Sequence, residues 1–287
     1  MSILVRCFSV SFLLLGGLGN GYAAGSCDGG APLFSARALV TKAALQNRIK
    51  SACGGRAVGN TTAAVQWTQF RLYLLANGRA AELLSQTGPG FSSGLNGSNF
   101  GSVTVSYTNT GATAMAGVRL VAFADLDINR ATNGFSNEFG SFVSLATPPG
   151  APAGAIAANA WEIDEPGFLF GNILTNAAAG TLDNFNAVPN SAPDDVSFAL
   201  QFPVGDLAPG QLFSAQVQLD TANIGGLQQV DPATNTTVYL NGFAAKAKVV
   251  TPDPVPTPVI PVPSSLPLLV IGMAVTYAFR RQIFGKR

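Results

Sequence analysis

The residues with the clearest chemical potential in this chain are acidic. Asp125-Leu126-Asp127-Ile128-Asn129 sets an oxygen-bearing side chain at every second position. In an extended segment the three share one side. In a loop they can converge, as the first, third and fifth positions of a calcium loop do. The helix-loop-helix calcium pattern then breaks, because Arg130 stands where glycine is needed and Ser136 where the bidentate glutamate belongs. Glu138 follows two residues later. The expectation is a calcium site of another type on Asp125, Asp127, Asn129 and Glu138, with calcium the one cofactor candidate. A solvated strand end accounts for the same residues.

Two further acidic knots occur, Glu162, Asp164 and Glu165 before Pro166-Gly167, and Asp194-Asp195 after Pro193. Paired carboxylates hydrolyse glycosides when they sit ~5 Å or ~6.5–9.5 Å apart. Acidic residues beside proline or glycine are also ordinary turn residues. Trp161, Phe168 and Phe170 flank the first knot. Such rings serve as sugar platforms or as core. Histidine is absent, which excludes Ser-His-Asp and Cys-His nucleophiles and any imidazole base or ligand. No phosphate loop, dinucleotide fingerprint, GxSxG or HExxH motif is present. No catalytic residue is assigned, and the expectation is a non-enzyme.

The net charge of +1 hides a contrast. Gly25 to Arg119 carries eight Lys/Arg and two Asp/Glu, net +6; Leu120 to Asp253 carries three and thirteen, net −10. This balance gives no reason to bind nucleic acid. An acidic body rich in Asn and Asp suits divalent cations or a hydrated polysaccharide, and also simple solubility.

The elements that position these residues read mainly as β, a β-sandwich or jelly roll with a short N-terminal helical segment. Ala31 to Cys53 has helical spacing at Ala36, Leu39, Val40, Ala43 and Ala44, and Gly54-Gly55 stops it. Thr61 to Leu75 fits neither period, since Val65, Trp67, Phe70, Leu72, Leu74 and Leu75 follow no single spacing. Strands are expected at Val103–Tyr107, Val118–Ala124, Phe142–Leu145, Ile156–Ile163, Phe168–Leu174, Phe198–Phe202, Leu212–Leu219 and Val238–Lys248. The division expected is 25–90 as a helical or mixed extension and 91–250 as the sandwich.

Both ends read as addresses. Residues 1–24 have a positive Arg6, an apolar run from Cys7 to Gly19 and a small-residue stretch through Ala23-Ala24-Gly25, the form of a cleaved signal peptide. Cys27 and Cys53 remain after cleavage. In an oxidising compartment they are a candidate disulfide closing a loop of about 26 residues, a constraint of ~3 kcal/mol. Free thiols are the alternative. At the other end, residues 251–263 read TPDPVPTPVIPVP, an extended polyproline spacer. Residues 264–287 hold an apolar run, LPLLVIGMAVTYAF, closed by Arg280, Arg281, Lys286 and Arg287. That predicts a single C-terminal transmembrane helix with a basic cytoplasmic end.

This tail resembles the PEP-CTERM class of sorting signals, in its VPLPA-CTERM variant. The resemblance rests on Val262, Pro263, Ser264 and Pro267, the apolar helix, and Arg280 with Arg281. The variant's motif has Leu and Ala where this chain has Val262 and Ser264. The resemblance implies recognition by an exosortase-type membrane protease in a Gram-negative bacterium and export to the cell surface or an exopolysaccharide matrix. Three body segments, 161–167, 194–200 and 239–243, are similar to stretches of PEP-CTERM ectodomains. They imply a cell-surface β domain and carry over no functional residue. The function expected is structural or adhesive; the alternatives are a calcium-dependent carbohydrate-binding module and a carboxylate-based secreted hydrolase.

Overall fold

The computed structural model describes residues 40–41, 56–83, 91–167 and 170–248. Two antiparallel sheets stack face to face. The strands, in chain order, are β1 Val40–Thr41, β2 Arg56–Val58, β3 Val65–Ala76, β4 Arg79–Glu82, β5 Phe91–Ser93, β6 Gly101–Thr108, β7 Met115–Ile128, β8 Phe139–Ser144, β9 Ala160–Asp164, β10 Ser197–Leu207, β11 Gln211–Asp220, β12 Gly226–Asp231 and β13 Thr236–Lys248. The first sheet runs β1-β4-β3-β7-β10-β9, with β2 also paired to β3; the second runs β5-β6-β11-β13-β12-β8. Two short helices complete the described elements, α1 Arg130–Asn133 and α2 Ile173–Ala179.

Period-two alternation builds the space between the sheets. Phe213, Ala215, Val217 and Leu219 of β11 are buried while the residues between them are half-exposed. They meet Phe70, Leu72 and Leu74 of β3, Leu120, Ala122 and Ala124 of β7, and Phe198, Leu200 and Phe202 of β10 in one core. Each large side chain buried here contributes roughly 1.5–3 kcal/mol. At the sheet edges Phe142 of β8 stacks on Trp161 of β9, with ring centroids 4.7 Å apart and planes 17° from parallel.

The first sheet is covered on its outer face as well. Tyr73, Leu75, Val121, Phe123 and Ala199 form a second cluster with Ile173, Leu174, Ala177 and Ala178 of α2. Burial on both faces explains why Leu120–Ala124 reads as an unbroken apolar run instead of an alternating one. The helix ends at Gly180, whose φ of 66° supplies the left-handed C-cap.

Several expectations change. The extension assigned to 25–90 is not a helical appendage in its described part: Val65–Ala76 is an interior strand of the first sheet, paired to β7 from Val65↔Ile128 to Leu75↔Arg119. Its mixed periodicity has a physical cause. A bulge between Trp67 and Gln69 shifts the alternation, so Val65 and Trp67 face inward before it and Phe70, Leu72 and Leu74 after it. Leu75 faces outward beneath α2. Within the expected helix 31–53, only Val40 and Thr41 are described; these β-branched residues pair with Ala80 and Arg79 as an edge strand. In its described part, 170–174, the strand expected at 168–174 is not formed and α2 begins at Ile173, because the run ILTNAAA puts Ile173, Leu174, Ala177 and Ala178 on one helical face. Strands β5 and β12 are not among the expected strands. Cys27, Cys53, the signal segment, the proline spacer and the tail residues Val262, Pro263, Ser264, Pro267, Arg280 and Arg281 lie outside the described residues. Among the described residues no helix is long and apolar enough to cross a membrane.

Candidate metal centre

The acidic residues gather on the outer face of the first sheet, at the end of β7 beyond the cover of α2. In β7 the even positions 118–128 enter the inter-sheet core, and Val121 and Phe123 lie under α2. Asp125 and Asp127 continue that outward series. The antiparallel register sets Ser197 of β10 opposite Asp125. Continued two residues, it brings Asp195 beside Asp127. Asp125, Asp127 and Asp195 each offer a carboxylate oxygen, and these atoms lie within 4.8 Å of one another. This spacing allows one cation to touch all three.

The trio is enclosed. Asp125 is 7% exposed and Asp127 2%, and Asp195 is half-buried. Oδ1 of Asp125 and Oδ1 of Asp195 are buried without a hydrogen-bond partner. A buried carboxylate oxygen is costly to leave without a partner. Burial first, then the negative charges of Asp195 and Asp127, hold the Asp125 carboxyl well above the usual carboxylate range. Burial and the Asp127 charge push Asp195 up to about 7. Burial also raises Asp127, opposed by Arg130. The donor set is all oxygen and anionic, the chemistry of a hard divalent cation, so the trio can hold a metal ion.

Local backbone chemistry brings Arg130 to the rim. Asn129 adopts φ 55°, ψ 29°, the left-handed conformation that Asn tolerates better than most residues. Its N–H donates to the Ala64 carbonyl at 2.5 Å. The chain then turns through α1, and Arg130 Nη1 donates to Asp127 Oδ2 at 2.5 Å, with the arginine side chain 31% exposed. The guanidinium also lies 5.1 Å from the Phe135 ring centroid.

The structure distributes the expected ligands differently from the sequence reading. Asp125 and Asp127 are together. The Asn129 side chain turns away, donating to Thr234 Oγ1 at 2.8 Å and to Asp231 Oδ2 at 3.4 Å. Glu138 is fully buried and engaged: Oε1 accepts the Ile128 N–H at 2.7 Å, and Oε2 accepts Gln229 Nε2. Burial pushes its carboxyl up to about 9 against those two hydrogen bonds. Its backbone exchanges two hydrogen bonds with Asp194, at 3.2 and 2.9 Å, which fastens the 194–195 turn beside β8. Asp195 is the member that sequence reasoning placed in a separate knot. Seventy positions separate it from Asp125, and only the β7–β10 register unites them.

Asp231 anchors a neighbouring knot. Its Oδ2 accepts from Asn133 at 2.7 Å and Thr234 at 2.6 Å, and its Oδ1 from Asn137 at 3.0 Å and the Ala233 N–H at 2.9 Å. Burial opposes ionisation, yet the donors Thr234, Asn133, Ala233 and Asn129 hold this carboxyl below the usual range.

The Glu162–Glu165 knot belongs to a separate feature. A cleft of about 390 Å³ is lined by Glu162, Asp164, Asn172, Asp183 and Phe185 among others. Residues 184–187 run alongside β9, with Asn184 N–H on Trp161 O and Ala187 N–H on Ile163 O. Both Glu162 oxygens accept from Asn176 Nδ2, at 2.9 and 3.0 Å, and Asp164 Oδ2 accepts the Asn172 N–H at 2.6 Å. Trp161 is engaged with Phe142, so the exposed ring beside the cleft is Phe185, 61% accessible.

Comparison with protein-family models, curated proteins and solved structures finds no match for this chain.

Proposed function

We propose that this is an exported structural or adhesive protein of a Gram-negative cell surface or exopolysaccharide matrix, whose β-sandwich is completed by a calcium ion at Asp125, Asp127 and Asp195. The observation that carries the calcium reading is the trio of carboxylates within 4.8 Å, two of whose oxygens are buried and unpartnered. Calcium is the hard divalent cation that tolerates irregular oxygen cages on flexible turns. A surface protein held together this way keeps its fold where calcium is plentiful.

The export reading rests on the sequence of the two ends. Exosortase-type processing at the tail would release the body from a transient membrane anchor. Cell fractionation with and without the exosortase tests it. Accumulation of a longer, membrane-held form in the mutant is expected, and unchanged size and location would refute it.

A carbohydrate-binding role is favoured by one observation, the cleft that combines the exposed Phe185 ring with Glu162, Asp164 and Asp183. A flat ring can stack on a pyranose face while carboxylates accept its hydroxyls. Titration of the full chain with matrix polysaccharide fragments, beside Phe185→Ala, tests it. Binding lost in the variant supports the role; no binding by the native chain counts against it.

A further inference from the structure

Two residues beside the carboxylate trio have no role in the reading above. Gln69 of β3 stands opposite Asp125 in the β3–β7 register. It lies on the outer face, because the bulge before it sends Phe70, Leu72 and Leu74 into the core. Its Oε1 is buried and has no hydrogen-bond partner. It joins the similarly unpartnered Oδ1 atoms of Asp125, 7% exposed, and Asp195 on one patch. Three buried acceptors, on β3, on β7 and in the turn before β10, form an oxygen set suited to a cation.

Arg130 is the second residue. Its positive charge is set directly against the trio through its ion pair with Asp127. It is held at Asp127 Oδ2, yet its side chain is 31% exposed where that of Asp127 is 2% exposed. The guanidinium therefore sits at the mouth of the site while the carboxylates line its interior.

We propose that Gln69 is a fourth protein ligand of the cation held by Asp125, Asp127 and Asp195, and that Arg130 is the resident counter-ion that the cation displaces from Asp127. This rests on the cation reading of the trio and adds its ligand set and its means of control. In the cation-free state the arginine offsets part of the crowded negative charge. An arriving divalent ion at bonding distance from Asp127 repels the guanidinium, which moves outward. Four protein oxygens leave room for water to complete the six to eight that calcium takes. The arginine thereby sets the affinity: a cation binds only where its own attraction exceeds that of the tethered one.

The test is calorimetric titration of calcium into the EDTA-stripped full chain and three variants, with circular dichroism to verify that each is folded. Arg130→Gln removes the competing charge and is expected to bind calcium about tenfold tighter, the worth of one pKa-sized electrostatic interaction. Gln69→Leu keeps the volume without the oxygen and is expected to bind about tenfold weaker. Gln69→Glu restores an oxygen with charge and is expected to bind at least as tightly as the native chain. If the native chain binds calcium and Arg130→Gln is no tighter, or Gln69→Leu no weaker, the assignment is overturned while the trio stands as a cation site. If neither the native chain nor Arg130→Gln binds at millimolar calcium, both fall. If Arg130→Gln alone binds, the native trio is no calcium site and the displacement falls with it.

Discussion

Replacing Asp195 by Asn should stabilise the calcium-free protein at alkaline pH and abolish its response to calcium. The reasoning starts from the folded-state carboxyl of Asp195, raised from 3.8 to about 7 by burial and by the Asp127 charge. A carboxyl raised on folding binds its proton more tightly in the native state. Its contribution is therefore fully present below about pH 4 and is lost as pH rises toward 7. Without solvent screening, holding Asp195 ionised at pH 8 would cost on the order of 4 kcal/mol, since each pKa unit is about 1.4 kcal/mol. Solvent at the half-buried residue and the sharing of repulsion among three coupled carboxylates reduce this to on the order of 2 kcal/mol. The amide is nearly isosteric, carries no charge and can donate to Asp125. Thermal unfolding of the full chain in EDTA at pH 8 should then show Asp195→Asn melting roughly 4–8 °C above the native chain. At pH 4 the two should coincide. Calcium at a hundredfold excess over Kd stabilises the native chain by about 2.7 kcal/mol, and the variant should gain little. A variant that melts below the native chain in EDTA at pH 8, or that keeps the full calcium shift, would refute the account of repulsion relieved by a cation.

The Asp231 knot makes the opposite prediction. Its carboxyl is held below the usual range, so its contribution is present above about pH 4 and disappears as pH falls through its lowered folded-state value. Asp231→Ala should cost about 2–4 kcal/mol in urea unfolding at pH 7, because Asn133, Asn137, Thr234 and the Ala233 amide lose their acceptor, and less below pH 3. Gly226→Ala should destabilise by about 2–4 kcal/mol: φ is +78° there, and a Cβ would lie 2.0 Å from the Leu240 carbonyl oxygen. The same urea experiment measures it.

The sandwich was legible wherever alternation was clean. Phe213, Ala215, Val217 and Leu219 announce one buried face, and Phe198, Leu200 and Phe202 another. It was illegible where a backbone irregularity or a second cover interrupted the pattern. The bulge at Trp67–Gln69 scrambled β3, and α2 made both faces of β7 apolar. Half of the candidate centre was visible because Asp125 and Asp127 sit two apart on one strand face. Its remainder depends on pairings that local sequence cannot specify. Asp195 and Gln69 reach Asp125 across two different strand partners, and nothing near Asp195 marks it as more than a turn residue after Pro193. Asn129 looked like a third ligand by spacing. The left-handed turn at that residue aims it at Asp231 and Thr234 instead.

The central claim is that Asp125, Asp127 and Asp195 together hold a divalent cation. Equilibrium dialysis of the stripped full chain against radioactive calcium, with Asp125→Asn beside it, tests that claim most directly. The account predicts one saturable calcium per chain in the native protein and none in the variant. Native protein that takes up no calcium at millimolar concentration, or a variant that takes up as much as the native protein, would contradict it.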